Sequence, residues 1–243
     1  MIALDSGRLS ASVRAMTTVS AAAPARSLFA LSVFYGGMVC IAGVLGNKQV
    51  NLGPIAGLGP LVGIGPLAVE AGIFAFLLLV VVSSAVAELH GRATANRLVL
   101  LGFVPLLASV ALSWLVHALP AAPEMQPEGL AAVQYILGAT WRIWLGGITA
   151  YGISTLLNVT IFSALRRDGG RLLWLRSAVA GVLSQIVDTL IFVTIAFWGV
   201  FPIGELLLGQ MLAKVVLSEL LVPPLVYLAV ALGRRLDQGA AAR

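Results

Sequence analysis

Charge is what this sequence has least of. Asp, Glu, Lys and Arg make up 10% of its 243 residues, where a soluble domain carries roughly 25%. Apolar residues make up 60%, and the mean hydropathy is +1.02, so a water-facing shell cannot be assembled from what remains. Cysteine is nearly absent as well: Cys40 stands alone, which excludes an intrachain disulfide. The usual chemical signatures are missing too. There is no G-x-S-x-G, no H-E-x-x-H, no C-x-x-C and no G-x-x-x-x-G-K-[ST]. No catalytic residue, metal site or cofactor is therefore expected, and anything this chain moves is not moved by its own nucleotide hydrolysis. A pI of about 10.0 invites a nucleic-acid reading. The basic residues lie between apolar runs instead of forming one patch, so nucleic acid is not an expected partner.

What the chain does have is long apolar runs. They predict an all-α integral membrane protein with six transmembrane helices, at about Leu28–Gly46, Pro66–Leu89, Leu98–Ala118, Tyr135–Leu165, Ala178–Val200 and Leu206–Leu232. The fourth run is roughly 45 Å long as a helix and must tilt or protrude. In the sixth, Pro223-Pro224 must kink or break the helix. This divides the chain into an N-terminal tail (1–27), a transmembrane domain (28–233) and a C-terminal tail (234–243). Between the first two helices runs a proline repeat of period six: Leu52-Gly53-Pro54, Leu58-Gly59-Pro60, Ile64-Gly65-Pro66. Apolar backbone that cannot be helical cannot face lipid. The repeat is either a loop folded over the mouth of the bundle or a slack insertion. Twelve of the fifteen Lys and Arg lie in the two tails, the 90–97 turn and the 166–176 loop. The positive-inside rule then places both termini in the cytoplasm of a multi-pass protein of a bacterial inner (plasma) membrane.

Inside the apolar runs the few polar groups stand out. Asp188 has no charged residue within eleven positions on either side. A charge at that depth costs roughly 2.5–3.5 kcal/mol on insertion scales, so it must face a partner, water or a ligand. Gly181, Ser184, Gln185 and Asp188 share a helix face. Asn158 follows Tyr151 and Thr155 on a second polar stripe, and Lys214 lies between Gln210 and Ser218 on a third. Arg142 and Glu219 complete the set at membrane depth. A buried charge needs an opposite charge, and Lys214 or Arg142 would serve Asp188. One reading is a ligand or proton site; the other is a polar clasp between helices. Asn, Gln and Asp together suit a planar, amide-rich ligand, with the carboxylate accepting two N–H bonds from an amidine-like purine edge. Tyr151, Trp144 and Trp198 either stack on such a ring or serve as ordinary packing and interface-belt residues.

The order of these residues resembles a known family. It runs from Asn47 after the first helix to Glu88 and Gly91 at the end of the second. Arg142 and Ala150-Tyr151 follow in the fourth, then Asp188-Thr189-Leu190 and Ile195-Ala196-Phe197-Trp198 in the fifth, and Lys214 in the sixth. The pattern is similar to the queuosine precursor transporter, or vitamin uptake transporter, family over roughly residues 28–235. The resemblance implies a bundle like the substrate-binding subunits of energy-coupling-factor transporters. It also implies uptake of a 7-deazapurine, 7-cyano-7-deazaguanine or a relative. Ser84 and Asn158 stand where that family often carries acids, and the proline repeat looks like an addition. The expected binding residues are Asp188, Gln185, Asn158, Arg142, Lys214, Asn47 and Tyr151, with Glu88 and Glu219 serving a gate or coupling. The expected partners are a purine-like small molecule and the lipid bilayer, with homo-oligomerisation left open. The alternatives are a capture subunit for another vitamin-like molecule that needs a separate ATPase, and a structural or assembly protein that transports nothing.

Overall fold

A computed structural model describes residues 25–51, 53–61, 63, 68–138, 141–166, 172–199 and 204–241. In chain order its main elements are α1 (Arg26–Leu45), β1 (Gln49–Asn51), β2 (Ala68–Glu70), α2 (Gly72–His90), α3 (Arg92–Ala118), α4 (Pro127–Leu137), α5 (Trp141–Ala164), α6 (Leu173–Phe197) and α7 (Gly204–Ala241). All the helices except α4 are long and apolar enough to cross a membrane. The chain is an all-α, multi-pass membrane protein with six candidate spans.

The composition of each helix decides its place. From Leu79 to Ala87 every residue of α2 is buried. A helix that is apolar all round belongs in the middle, and α2 touches α1, α3, α5 and α7. α6 packs between α5 and α7. The second half of α3 is exposed almost throughout, the surface expected of a helix against lipid. Close approach of α3 and α5 depends on Gly102. A Cβ there would overlap the Tyr151 hydroxyl and come within 2.8 Å of the Tyr35 ring.

The element boundaries differ from the sequence expectation in five places, each with a physical reason. The second helix begins at Gly72, because Ala68–Glu70 pairs antiparallel with Gln49–Asn51 and gives a non-helical segment its backbone partners. Glu70 therefore sits on a ribbon and not in a helix. Of the proline repeat, Gly53–Gly57 forms a 3₁₀ turn and Leu58–Leu61 a helical turn; the copy at 64–66 lies outside the described residues. The third helix starts at Arg92, joined to α2 through Gly91 alone. That glycine has φ +84°, a left-handed value that glycine adopts without strain. The long fourth run is two helices. Gly138 ends α4, its N–H bonded to the Gln134 carbonyl, and α5 alone spans roughly 36 Å. The fifth helix begins at Leu173, which draws Arg176 out of the expected loop and into the bundle. The sixth continues past Leu232 to Ala241, and Pro223-Pro224 interrupts its hydrogen bonding without ending it, as membrane helices tolerate.

One end of the bundle is tied together by α1, α2 and α7. Ser27 donates from its N–H and its hydroxyl to the Asp237 carboxylate at 3.0 and 2.7 Å, and its Oγ lies 2.7 Å from His90 Nε2. The β1–β2 ribbon occupies the opposite end.

Candidate ligand cavity

A cavity of about 690 Å³ enters the bundle from the ribbon end. Its walls include Val39, Ile73, Phe76 and Phe192. Such a volume suits a small organic molecule. At its floor, helix register brings three charges together. Asp188 of α6 is 7% exposed and Lys214 of α7 is 4% exposed. Lys214 Nζ donates to Asp188 Oδ2 at 3.4 Å, and the other Asp188 oxygen lies 3.3 Å from Ser154 Oγ, whose single proton is shared with the Ala150 carbonyl at 2.5 Å. Glu70 approaches from the ribbon, with Oε2 3.7 Å from the same ammonium. One buried cation thus serves two carboxylates. Tyr151 lines the cavity with its ring, but its hydroxyl is engaged, donating to the Val99 carbonyl at 2.8 Å and meeting Tyr35 Oη at 3.0 Å. Asn47 lies at the rim. Its amide reaches the Gly43 and Val44 carbonyls at 3.2 Å each and the Ile136 carbonyl at 3.4 Å, tying α1 to α4.

The residues singled out from the sequence do not form one site. Asp188, Lys214, Tyr151 and Asn47 line the cavity. Asn158 and Gln185 lie below it, closer to the tied end, in a sealed polar layer. Asn158 Nδ2 donates to Ser84 Oγ at 3.0 Å and to Ser83 Oγ at 3.3 Å. Gln185 is 0% exposed, and neither of its amide atoms has a partner among the described residues. Below that layer, Arg176 Nη1 meets Glu88 Oε2 at 2.9 Å, its Nε donates to the Phe162 carbonyl at 3.0 Å, and its guanidinium lies over the Phe162 ring at 4.2 Å. Glu88 therefore sits in a buried ion pair away from the cavity. Glu219 is exposed on the face of α7 turned away from the bundle.

Arg142 lies outside the cavity lining. Its Nε donates to the Ile195 carbonyl at 3.0 Å and its Nη2 to the Trp198 carbonyl at 2.8 Å, at the C-terminal end of α6. That position satisfies carbonyls left open by the helix end and suits a cation. The fork makes both bonds and a lysine cannot. Arg142→Lys should thus lower stability by about 1.5–3 kcal/mol while leaving ligand affinity near wild type. Thermal unfolding and ligand titration on the same purified variant check this, and a tenfold loss of affinity at unchanged stability would contradict it.

Glu70 and Arg176 are the functional candidates that sequence reasoning missed. Glu70 reads as the outer edge of a helix, and Arg176 as one more loop charge.

The protein is thus a multi-pass bundle of six candidate spans, with a mostly apolar cavity open at the ribbon end, three charged groups at its floor and a buried ion pair nearer the tied end. Residues 70–229 match the family model described as "Putative vitamin uptake transporter", and the chain belongs to that family. Over 118 residues it is 36% identical to the "Probable queuosine precursor transporter" of Bacillus subtilis (strain 168). That match covers 47% of this chain and 50% of the relative, so the chain spans about half the length of the curated relative. No solved structure matches.

Proposed function

We propose that this protein imports a 7-deazapurine precursor of queuosine, 7-cyano-7-deazaguanine or a close relative, across a bacterial plasma membrane. The observation that carries the reading is the cavity itself. It is large enough for a bicyclic ring, walled by Trp144, Tyr135 and Phe192, and floored by Asp188, Lys214 and Glu70. A flat, hydrogen-bonding heterocycle needs apolar faces above and below and polar groups at its edge, and this cavity offers both. The name of the Bacillus subtilis relative supports the same substrate class. The positive charges between the helices support a cytoplasmic position for the tied end. In that orientation the cavity opens outward, and Glu88–Arg176 forms the inner gate.

The test is uptake of radiolabelled 7-cyano-7-deazaguanine by the purified chain in proteoliposomes. Uptake by this chain alone supports the proposal. Binding without uptake points instead to a capture subunit that needs a separate ATPase. Neither binding nor uptake leaves a structural role.

A further inference from the structure

Asp188, the most conspicuous carboxylate in the sequence, has a neighbour at each oxygen, Lys214 Nζ at 3.4 Å and Ser154 Oγ at 3.3 Å, although the single Ser154 proton is shared with the nearer Ala150 carbonyl at 2.5 Å. Glu70 has a neighbour at one oxygen only. Its Oε2 lies 3.7 Å from Lys214, and its Oε1 is buried with no partner among the described residues. Gln210, 5% exposed and in the same cavity wall, likewise leaves its Oε1 without a partner. The indole Nε1 of Trp144, also in the wall, is an unmatched donor. An acceptor buried without a partner is unfavourable unless something arrives to satisfy it. These unmatched groups are two acceptors, one of them charged, that suit N–H donors, and one donor that suits an acceptor.

We propose that Glu70, carried by the β1–β2 ribbon, is the residue that reads the ligand's N–H edge, with Gln210 of the same cavity wall as the second acceptor. The edge that fits is an exocyclic amino group next to a ring N–H, and the Trp144 indole meets an acceptor elsewhere on the ligand. Asp188 is a positioning residue in this arrangement: it holds Lys214, and Lys214 holds Glu70. The inference rests on the substrate class proposed above and adds the residue that discriminates within it. A carboxylate distinguishes a 2-amino ring from the same ring without the amino group, because the second ligand leaves the charged acceptor unmet.

The experiment measures the affinities of 7-cyano-7-deazaguanine and of its analogue lacking the 2-amino group. Both are titrated on the wild-type protein, on Glu70→Gln and on Asp188→Asn. The readout is the ratio of the two affinities on one preparation, so partial unfolding of a variant cancels. The wild-type protein should prefer the 2-amino ligand by roughly tenfold to a hundredfold, the worth of a charge-assisted bond. Glu70→Gln should reduce the preference to within about threefold, while Asp188→Asn should weaken both ligands alike and keep it. A preference retained in Glu70→Gln, absent from the wild type, or lost only in Asp188→Asn overturns the assignment while the substrate proposal stands. If the wild-type protein binds neither ligand, the substrate proposal falls and the assignment with it.

Discussion

Lys214→Met should be the most damaging single substitution in the cavity. The ammonium is the shared partner of Asp188 at 3.4 Å and Glu70 at 3.7 Å, and it is almost fully buried. Breaking one buried pair costs about 3–5 kcal/mol, because a charge is left without its counterion. Here two carboxylates are left, facing each other as like charges, so the loss should reach or exceed the top of that range. Asp188→Asn should cost clearly less, since Lys214 keeps Glu70. A lone Asp188–Lys214 pair, the simplest arrangement legible in the sequence, would make the two substitutions comparable. Melting curves of the two variants in one detergent decide between these arrangements. Adding Asp188→Asn to Lys214→Met should recover part of the stability by removing one orphaned charge. A Lys214→Met variant that melts like the wild type would mean that the three groups do not form a charged cluster.

The second large effect is expected at the Glu88–Arg176 pair. Arg176→Met removes an ion pair, a hydrogen bond to the Phe162 carbonyl and a cation–π contact together. It also strands Glu88 in the bundle, at a cost of about 3–5 kcal/mol. Glu88→Gln keeps an acceptor for the guanidinium and should cost roughly 1.5–3 kcal/mol. Combining the two removes the stranded carboxylate, so the double variant should be more stable than Arg176→Met alone. Thermal unfolding of the three proteins gives the coupling. Strictly additive losses would show that Glu88 and Arg176 do not hold each other. If the pair is the inner gate, Arg176→Met should also make proteoliposomes leak preloaded ligand faster than the wild type.

How much of this was legible beforehand follows from what local pattern can encode. The six spans were legible because twenty apolar residues in a row have few alternatives to a membrane helix. Asp188 and Lys214 were legible because an isolated charge in such a run is conspicuous. Arg176 was not, because it stands among other arginines at the edge of a run. Only the packing of α6 against α2 and α5 shows that this one turns inward. Glu70 escaped for a related reason. Its place is set by a two-stranded ribbon whose partner, Gln49–Asn51, lies about twenty residues upstream across a proline-rich segment. No local periodicity records such a pairing. The break at Gly138 was hidden by unbroken hydrophobicity, and hydropathy does not register where a backbone turns. Gln185 was read beside Asp188 on one face of the same helix, and Asn158, from another helix, as part of the same ligand site. The helical rise nevertheless carries them below the cavity floor and into the sealed layer.

The sealed layer also has an electrical consequence. A wide cavity open at one end, with charged groups at its floor, admits solvent, and a voltage applied across the bilayer does not drop through conducting water. It falls over the dry part that remains. Along α6 that part runs from Asp188 to Arg176, twelve residues or roughly 18 Å, instead of the ~30 Å of a full hydrocarbon core. The field there is steeper by the ratio of the two lengths. A neutral ligand crosses it without noticing. In the orientation proposed above, a ligand bearing one positive charge would be drawn inward by about 2.3 kcal/mol for every 100 mV of inside-negative potential, almost all of it released over the short stretch between the cavity floor and the Glu88–Arg176 pair.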